Sequence, residues 1–171
     1  MSKKQPNCKN DLLLQQEHWM FSCRTGVLLY RDDKLLLQRN VNEESYSLPG
    51  GHVSFGEFTQ ETVARELMEE TGAAVNVGRL CAVVELFWQW TKPCHQINFY
   101  YLAELKNRDA LPYRSFKVLD EMGQERVDLE MCWVDVERLD DIRIYPACIQ
   151  PYLKELPEQI LHLQENELED L

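Results

Sequence analysis

The stretch Gly51-His52-Val53-Ser54-Phe55-Gly56-Glu57, followed after seven residues by Arg65-Glu66-Leu67-Met68-Glu69-Glu70-Thr71-Gly72-Ala73, decides how this chain is read. It places four carboxylates at fixed offsets between two bracketing glycines. Glu66, Glu69 and Glu70 stand at i, i+3 and i+4, so on a helix their side chains emerge on neighbouring turns of one face. Like charges at that spacing repel, and a hard divalent cation between them recovers the cost. Oxygen donors without thiolate or paired imidazole favour Mg²⁺ or Mn²⁺ over zinc.

Around this stretch the sequence predicts regular structure. Residues 58–71 read as a helix with Thr59 at its start, Glu61 in its first turn and Gly72 as a left-handed C-terminal cap. Its Gln60, Val63, Ala64, Leu67 and Thr71 fall on one arc for packing, and the three glutamates fall on another. Gly50-Gly51 permits a close backbone approach, and Gly56 gives the loop a second hinge. Upstream, residues 21–30 and 34–38 read as strands joined at Asp32-Asp33, and residues 40–46 as a polar loop. Downstream, residues 80–88, 95–105 and 129–136 are β-prone, residues 106–128 are less regular, and a helix is expected over 147–156 between Pro146 and Pro157.

The full chain has 171 residues, 44% apolar and 27% charged, which fits a globular domain. We expect an N-terminal extension over 1–18, the main domain over 19–157 and an acidic tail or short helix over 158–171. That tail has five acidic residues and no Lys or Arg, yet keeps Ile160, Leu161, Leu163 and Leu168. A docked terminal helix, a partner-binding segment and a frayed end all suit it. The net charge of −11 argues against non-specific binding to long nucleic acid, which needs clustered cations. No apolar run reaches membrane-span length, no signal-peptide core is present, and the six cysteines form no CxxC pair; a cytoplasmic protein with reduced thiols is expected.

The segment from Gly51 to Ala73 resembles the signature box of Nudix hydrolases: Gly, five residues, Glu, seven residues, Arg-Glu, an aliphatic residue, any residue, Glu-Glu, any residue, Gly and a final aliphatic residue. Every required position is met, with the small Ala73 in last place. The resemblance implies an α/β fold, an αβα sandwich with a central mixed β-sheet. It implies hydrolysis of a phosphoanhydride in a nucleoside diphosphate-linked compound or a nucleoside triphosphate, supported by Mg²⁺ or Mn²⁺. It also implies Glu66, Glu69 and Glu70 as metal ligands, with the Gly50 carbonyl as a candidate fourth. Glu57 and Arg65 would orient the loop–helix junction, and Glu69 or Glu70 would help activate water.

Outside the box, Arg39 is a candidate phosphate contact because its guanidinium fork suits two oxygens. Phe87, Trp88 and Trp90 are candidates for a base-stacking wall, with His95 as a base contact. Glu121, Glu125 and Glu130 are candidates for an additional base or ligand. The proline associated with ADP-ribose substrates in this family is replaced by Phe87 and Trp88, and the tyrosine associated with dinucleoside polyphosphates is not matched by Gln89-Trp90. The leading expectation is therefore a small nucleotide or nucleotide derivative as substrate. A 5′-triphosphate RNA pyrophosphohydrolase and a nucleotide-sensing or adaptor protein are the alternatives. Homodimerisation is expected from the aromatic content and the tail.

Overall fold

A computed structural model describes residues 10–122 and 125–168, the side chains of 119–122 and 125–127 excepted. Among the described residues, ten strands form one mixed sheet, against which one α-helix packs. In chain order they are β1 (Leu13–Gln15), β2 (Met20–Arg31), β3 (Lys34–Asn40), β4 (Tyr46–Ser47), then α1 (Thr59–Thr71), β5 (Val75–Gln89), β6 (Pro93–Leu105), β7 (Phe116–Met122), β8 (Glu125–Asp135), β9 (Ile144–Tyr145) and β10 (Leu161–Asn166). The main path runs β10-β5-β6-β2-β3-β4-β9, with β8 joining β3 to β7.

The expected hairpin at Asp32-Asp33 is present. Both aspartates have positive φ, 51° and 58°, as a two-residue turn that follows the strand twist requires. Its ladder is short: β2 and β3 pair only at Tyr30–Leu35 and Arg31–Lys34. Beyond this they diverge, and the glycine loop enters the opening. Val27 N–H donates to the Pro49 carbonyl at 2.8 Å, Thr25 N–H to that of Gly51 at 2.9 Å, and Val53 N–H to that of Cys23 at 3.0 Å. The loop therefore serves as β2's missing neighbour, fixed by the backbone polar groups that the divergence leaves open.

Strand alternation divides the core. Val27, Leu29 and Leu36 face one side, where Val63 and Leu67 of α1 cover them. Leu28, Leu35 and Leu37 face the other, against Leu139, Ile144, Ile149 and Leu153. The result is an α/β sandwich whose second outer layer consists of two 3-10 helices, Val136–Asp141 and Ala147–Tyr152.

Several expectations are corrected by this arrangement. The helix starts from Phe58, whose N–H is accepted by the Glu61 carboxylate at 2.8 Å; the Thr59 hydroxyl is 2.7 Å from the Tyr101 hydroxyl instead of capping. Gly72 does cap the other end, with φ 72° and its N–H on the Met68 carbonyl. The less regular span 106–128 contains β7 and the start of β8. The helix expected over 147–156 is a 3-10 helix that ends at Tyr152. Pro151 lies inside it and cannot donate the α-helical bond. The tail is neither a helix nor frayed over Leu161–Asn166: this segment is a strand paired in parallel with β5. Its Leu161 and Leu163 pack into the second core cluster at a spacing of two, not of three or four. No helix among the described residues is long and apolar enough to cross a membrane. The five described cysteines are free thiols.

Candidate active site

α1 presents its carboxylates to the glycine loop because Val63 and Leu67 fix the opposite face in the core. Arg65 gathers them. Its Nε and Nη2 grip Glu57 at 2.8 and 3.0 Å, its Nη1 serves Glu66 at 2.8 Å and Glu69 at 3.0 Å, and Nη2 also donates to the His52 carbonyl at 3.1 Å. All five guanidinium N–H groups are thereby used. Glu57 additionally accepts from the Thr62 hydroxyl at 2.8 Å and the Ser54 N–H at 3.3 Å. The Arg65 hydrogen bonds are the main cause of a Glu57 pKa below the ordinary carboxylate range. Glu57, Arg65, Glu66 and Glu69 are thus brought together as the spacing predicts, and Glu70 follows partly buried on the same helix.

The glycines make room for this assembly. A Cβ on Gly51 would lie 2.1 Å from the Glu66 carboxyl carbon, and one on Gly50 would lie 2.0 Å from the Thr25 carbonyl oxygen. Both are far inside contact distance, so the loop can touch helix and sheet only with glycine at these positions. Glu66 is pressed into that space with its side chain 16% exposed, whereas Glu69 is 57% exposed. Desolvation raises the Glu66 pKa, with Arg65 opposing it and Glu69 adding to it.

Among the described residues no three carboxylate, imidazole or thiol groups are preassembled as a metal cage. Arg65 bridges Glu66 and Glu69, so two carboxylates already converge on one cationic nitrogen. With Glu57, three carboxylates share one positive charge. That surplus of oxygen donors and negative charge fits a hard divalent cation.

Arg24 escapes the sequence reading. It lies on β2, and its Nη2 is 3.5 Å from the Gly50 carbonyl oxygen. It also lines a cavity of about 370 Å³ with Gln38, Trp88, Gln96 and Asn98. A guanidinium therefore stands between the carboxylate helix and a polar cavity. Desolvation and then Arg24 push the partly buried His52 imidazole down to about 3, leaving it neutral at physiological pH.

The other candidates are sorted by strand geometry. Trp88 lines the cavity and stacks on Trp90, centroids 5.7 Å apart; Trp90 stacks in turn on His52 at 6.4 Å. Phe87 and His95 pair across the β5–β6 ladder and touch each other at 4.6 Å. Alternation puts them on the face opposite Trp88 and Gln96, so His95 is corrected from base contact to a member of the aromatic group with Phe21. Arg39 is directed at Glu130, register partners on β3 and β8, through Nε and Nη2 at 2.9 and 2.7 Å. This pair commits the proposed phosphate contact and one proposed extra carboxylate to each other. The side chains of Glu121 and Glu125 lie outside the described residues. Gln96 and Asn98 were missed although a signal exists: two amides at a spacing of two within an otherwise apolar strand mark one polar spot on one sheet face.

Over 91 residues the chain is 36% identical to the "Probable DHNTP pyrophosphohydrolase" of Lactococcus lactis, covering 50% of this chain and 55% of that protein. It is 39% identical over 59 residues to an ADP-ribose pyrophosphatase of Methanocaldococcus jannaschii, 33% of this chain and 35% of that one. The chain thus spans about half or less of the length of these curated relatives. The solved MutT protein of Bacillus halodurans superposes with a TM-score of 0.62 at 18% identity, covering 87% of this chain and 92% of that one. The MutT protein of Methanosarcina mazei superposes at 0.50 with 25% identity, over 82% and 94% of the two chains. The family profile of the NUDIX domain matches residues 20–156, which takes in the carboxylate helix, the glycine loop and both sides of the sandwich, and the chain belongs to the Nudix family.

Proposed function

We propose that this protein is a pyrophosphohydrolase of a small nucleoside phosphate, dependent on Mg²⁺ or Mn²⁺. The observation that carries the reading is the Arg65-centred carboxylate assembly, separated by Arg24 from a cavity large enough for a heterocycle. The names of the relatives, pyrophosphohydrolase and pyrophosphatase, support cleavage of a phosphoanhydride.

In this reading Glu66, Glu69, Glu70 and the Gly50 carbonyl would hold the cation. When bound, it supplies charge neutralisation and Lewis-acid polarisation at the phosphates. Arg65 and Glu57 are positioning residues: they hold the loop against α1 and orient Glu66 and Glu69. Arg24 takes a phosphate oxygen, a role first assigned to Arg39, and Trp88 forms one wall for the base. Glu69 or Glu70 accepts a proton from the attacking water as its oxygen bonds to phosphorus and the bridging P–O bond breaks. This net transfer yields two phosphorylated products without any redox step.

The test is turnover of nucleoside triphosphates, nucleotide sugars and a short 5′-triphosphorylated RNA, with Mg²⁺, with Mn²⁺ and with EDTA. Metal-dependent release of phosphate or pyrophosphate from a small nucleotide, reduced at least about 100-fold by Glu70→Gln in a folded protein, is the expected result. A folded wild-type protein that turns over no member of the panel with either metal sinks the proposal. Preference for the RNA over the free nucleotide would move the assignment to RNA ends.

A further inference from the structure

The C-terminal strand turns one acidic residue inward and sets a second at the rim of a cavity. Leu161 and Leu163 of β10 pack into the core, and the period of two puts Glu165 on the same side, with Glu167 exposed just past the end of the strand. Glu165 pairs opposite Leu86, and its two carboxylate oxygens accept from the backbone N–H groups of Ala147 and Cys148 at 3.1 and 2.6 Å. Glu167 prolongs the ladder, its N–H on the Phe87 carbonyl at 2.8 Å. It is among the residues lining the 370 Å³ cavity, beside Glu165. Glu167 lies beyond residue 156, where the family match ends.

The cavity wall carries an unpaired acceptor. Gln96 is 7% exposed, and its Oε1 has no hydrogen-bond partner among the described residues. Gln96 spends its amide N–H on Asn98 Oδ1 at 3.1 Å, which leaves its carbonyl oxygen as the free end. Buried acceptors without partners are costly, so they mark a place where a donor-bearing ligand gains most. With the Trp88 ring as a wall, the complementary shape is a flat heterocycle carrying several N–H donors.

We propose that Glu167 is a specificity-determining residue of the substrate site, its carboxylate accepting two adjacent N–H donors of a 2-amino-oxo heterocycle such as guanine while Gln96 accepts the amino group's second N–H. The placement rests on the pyrophosphohydrolase reading, because the same cavity abuts Arg24 and the carboxylate helix. Two carboxylate oxygens match a ring N–H beside an exocyclic amino group, whereas adenine presents an amino group beside a ring acceptor.

Desolvation, then the hydrogen bond and charge of Glu165, push Glu167 up to about 7. Acting against desolvation, the backbone and thiol hydrogen bonds of Cys148 and the Ala147 N–H hold Glu165 below its ordinary range. The other titratable or charged groups around the cavity are Arg24 on β2, Glu43 before β4, Tyr100 on β6 and Tyr145 on β9, with Cys148 beside Glu165. Acceptance of two N–H donors requires the ionised carboxyl, so binding strengthens as pH rises through 7. The variant lacking the Glu167 proton separates its titration from the others.

The experiment is equilibrium binding of GMP and AMP by calorimetry in EDTA, for the wild type and Glu167→Gln, with circular dichroism on both. We expect the wild type to bind GMP about tenfold tighter than AMP, Glu167→Gln to lose about tenfold for GMP and nothing for AMP, and the rise in GMP affinity from pH 6 to pH 8 to flatten in the variant. Equal GMP and AMP affinities in the wild type, or unchanged GMP affinity in a folded Glu167→Gln, overturn the proposal. Glu167-dependent GMP binding in a protein that cleaves no nucleotide with metal supports the assignment and removes the hydrolase reading instead.

Discussion

Arg65 shows how much one side chain organises here. Five donors on a rigid plane reach three carboxylates and a loop carbonyl, and lysine, with three donors on a point charge, cannot span that set. Arg65→Lys is expected to lower kcat/KM about 10–100-fold while the protein stays folded, the range seen when the partners that orient metal ligands are lost. Steady-state kinetics beside a thermal melt separate the two effects. Gly51→Ala tests the same space from the loop side. Its Cβ would enter the Glu66 carboxyl, so the variant should lose metal-dependent turnover and bind Mn²⁺ more weakly in a titration followed by the ion's own magnetic resonance. Unchanged Mn²⁺ affinity would remove Glu66 from the ligand set. The grouping of these residues was legible in the sequence because the box sets them at fixed local offsets. Arg24 was not: nothing in its strand marks it, and its importance comes from Gly50, 26 residues later, being laid beside it.

At the level of elements, α1 and the loop are each held by a different part of the sheet. Leu67 is fully buried between α1 and the sheet, and Leu67→Ala should destabilise the protein by about 2–5 kcal/mol, measured by denaturant unfolding. β2 is anchored at its other end by Arg31, nearly buried, which donates to the carbonyls of Arg108, Leu111 and Pro112 at 2.8–3.0 Å. Its guanidinium is held between the Tyr113 and Trp133 rings at 4.0 and 4.1 Å. Arg31→Met keeps the volume but strands the Arg108 and Leu111 carbonyls, Pro112 keeping the Trp133 indole N–H, and removes the cation from both rings, for an expected loss of about 2–4 kcal/mol in the same unfolding assay. Because Arg31 lies at the hairpin end of β2, away from the loop-paired residues 23–27, kcat/KM of the folded fraction should change little. Strand and helix identities were read correctly where periodicity was strong, as in β2, β6 and α1. β7 and β10 were missed because each acquires its status from a partner, β8 or β5, that local pattern does not name.

Across the whole molecule, the charge of −11 coexists with the proposed site for an anionic substrate. The positive groups are few and placed: Arg24 beside the loop and Arg65 within the carboxylates. A basic groove for a long polyanion would show affinity falling steeply with salt. We expect retention of a 30-nucleotide RNA on a filter to be negligible at 50 mM salt, and binding of a mononucleotide to vary less than about threefold between 50 and 200 mM. Tight, strongly salt-dependent RNA retention would overturn that expectation. By itself the sequence determined the carboxylate helix, the glycine loop feeding it and the family fold, because these depend on spacings within 23 consecutive residues. Tertiary structure decided which face each aromatic occupies, that Arg39 and Glu130 neutralise each other, and that Arg24 and Glu167 border one cavity. Those outcomes depend on strand register and on pairing between segments far apart in the chain. Shifting a strand by one residue would send each side chain to the other face of the sheet while leaving the sequence unchanged.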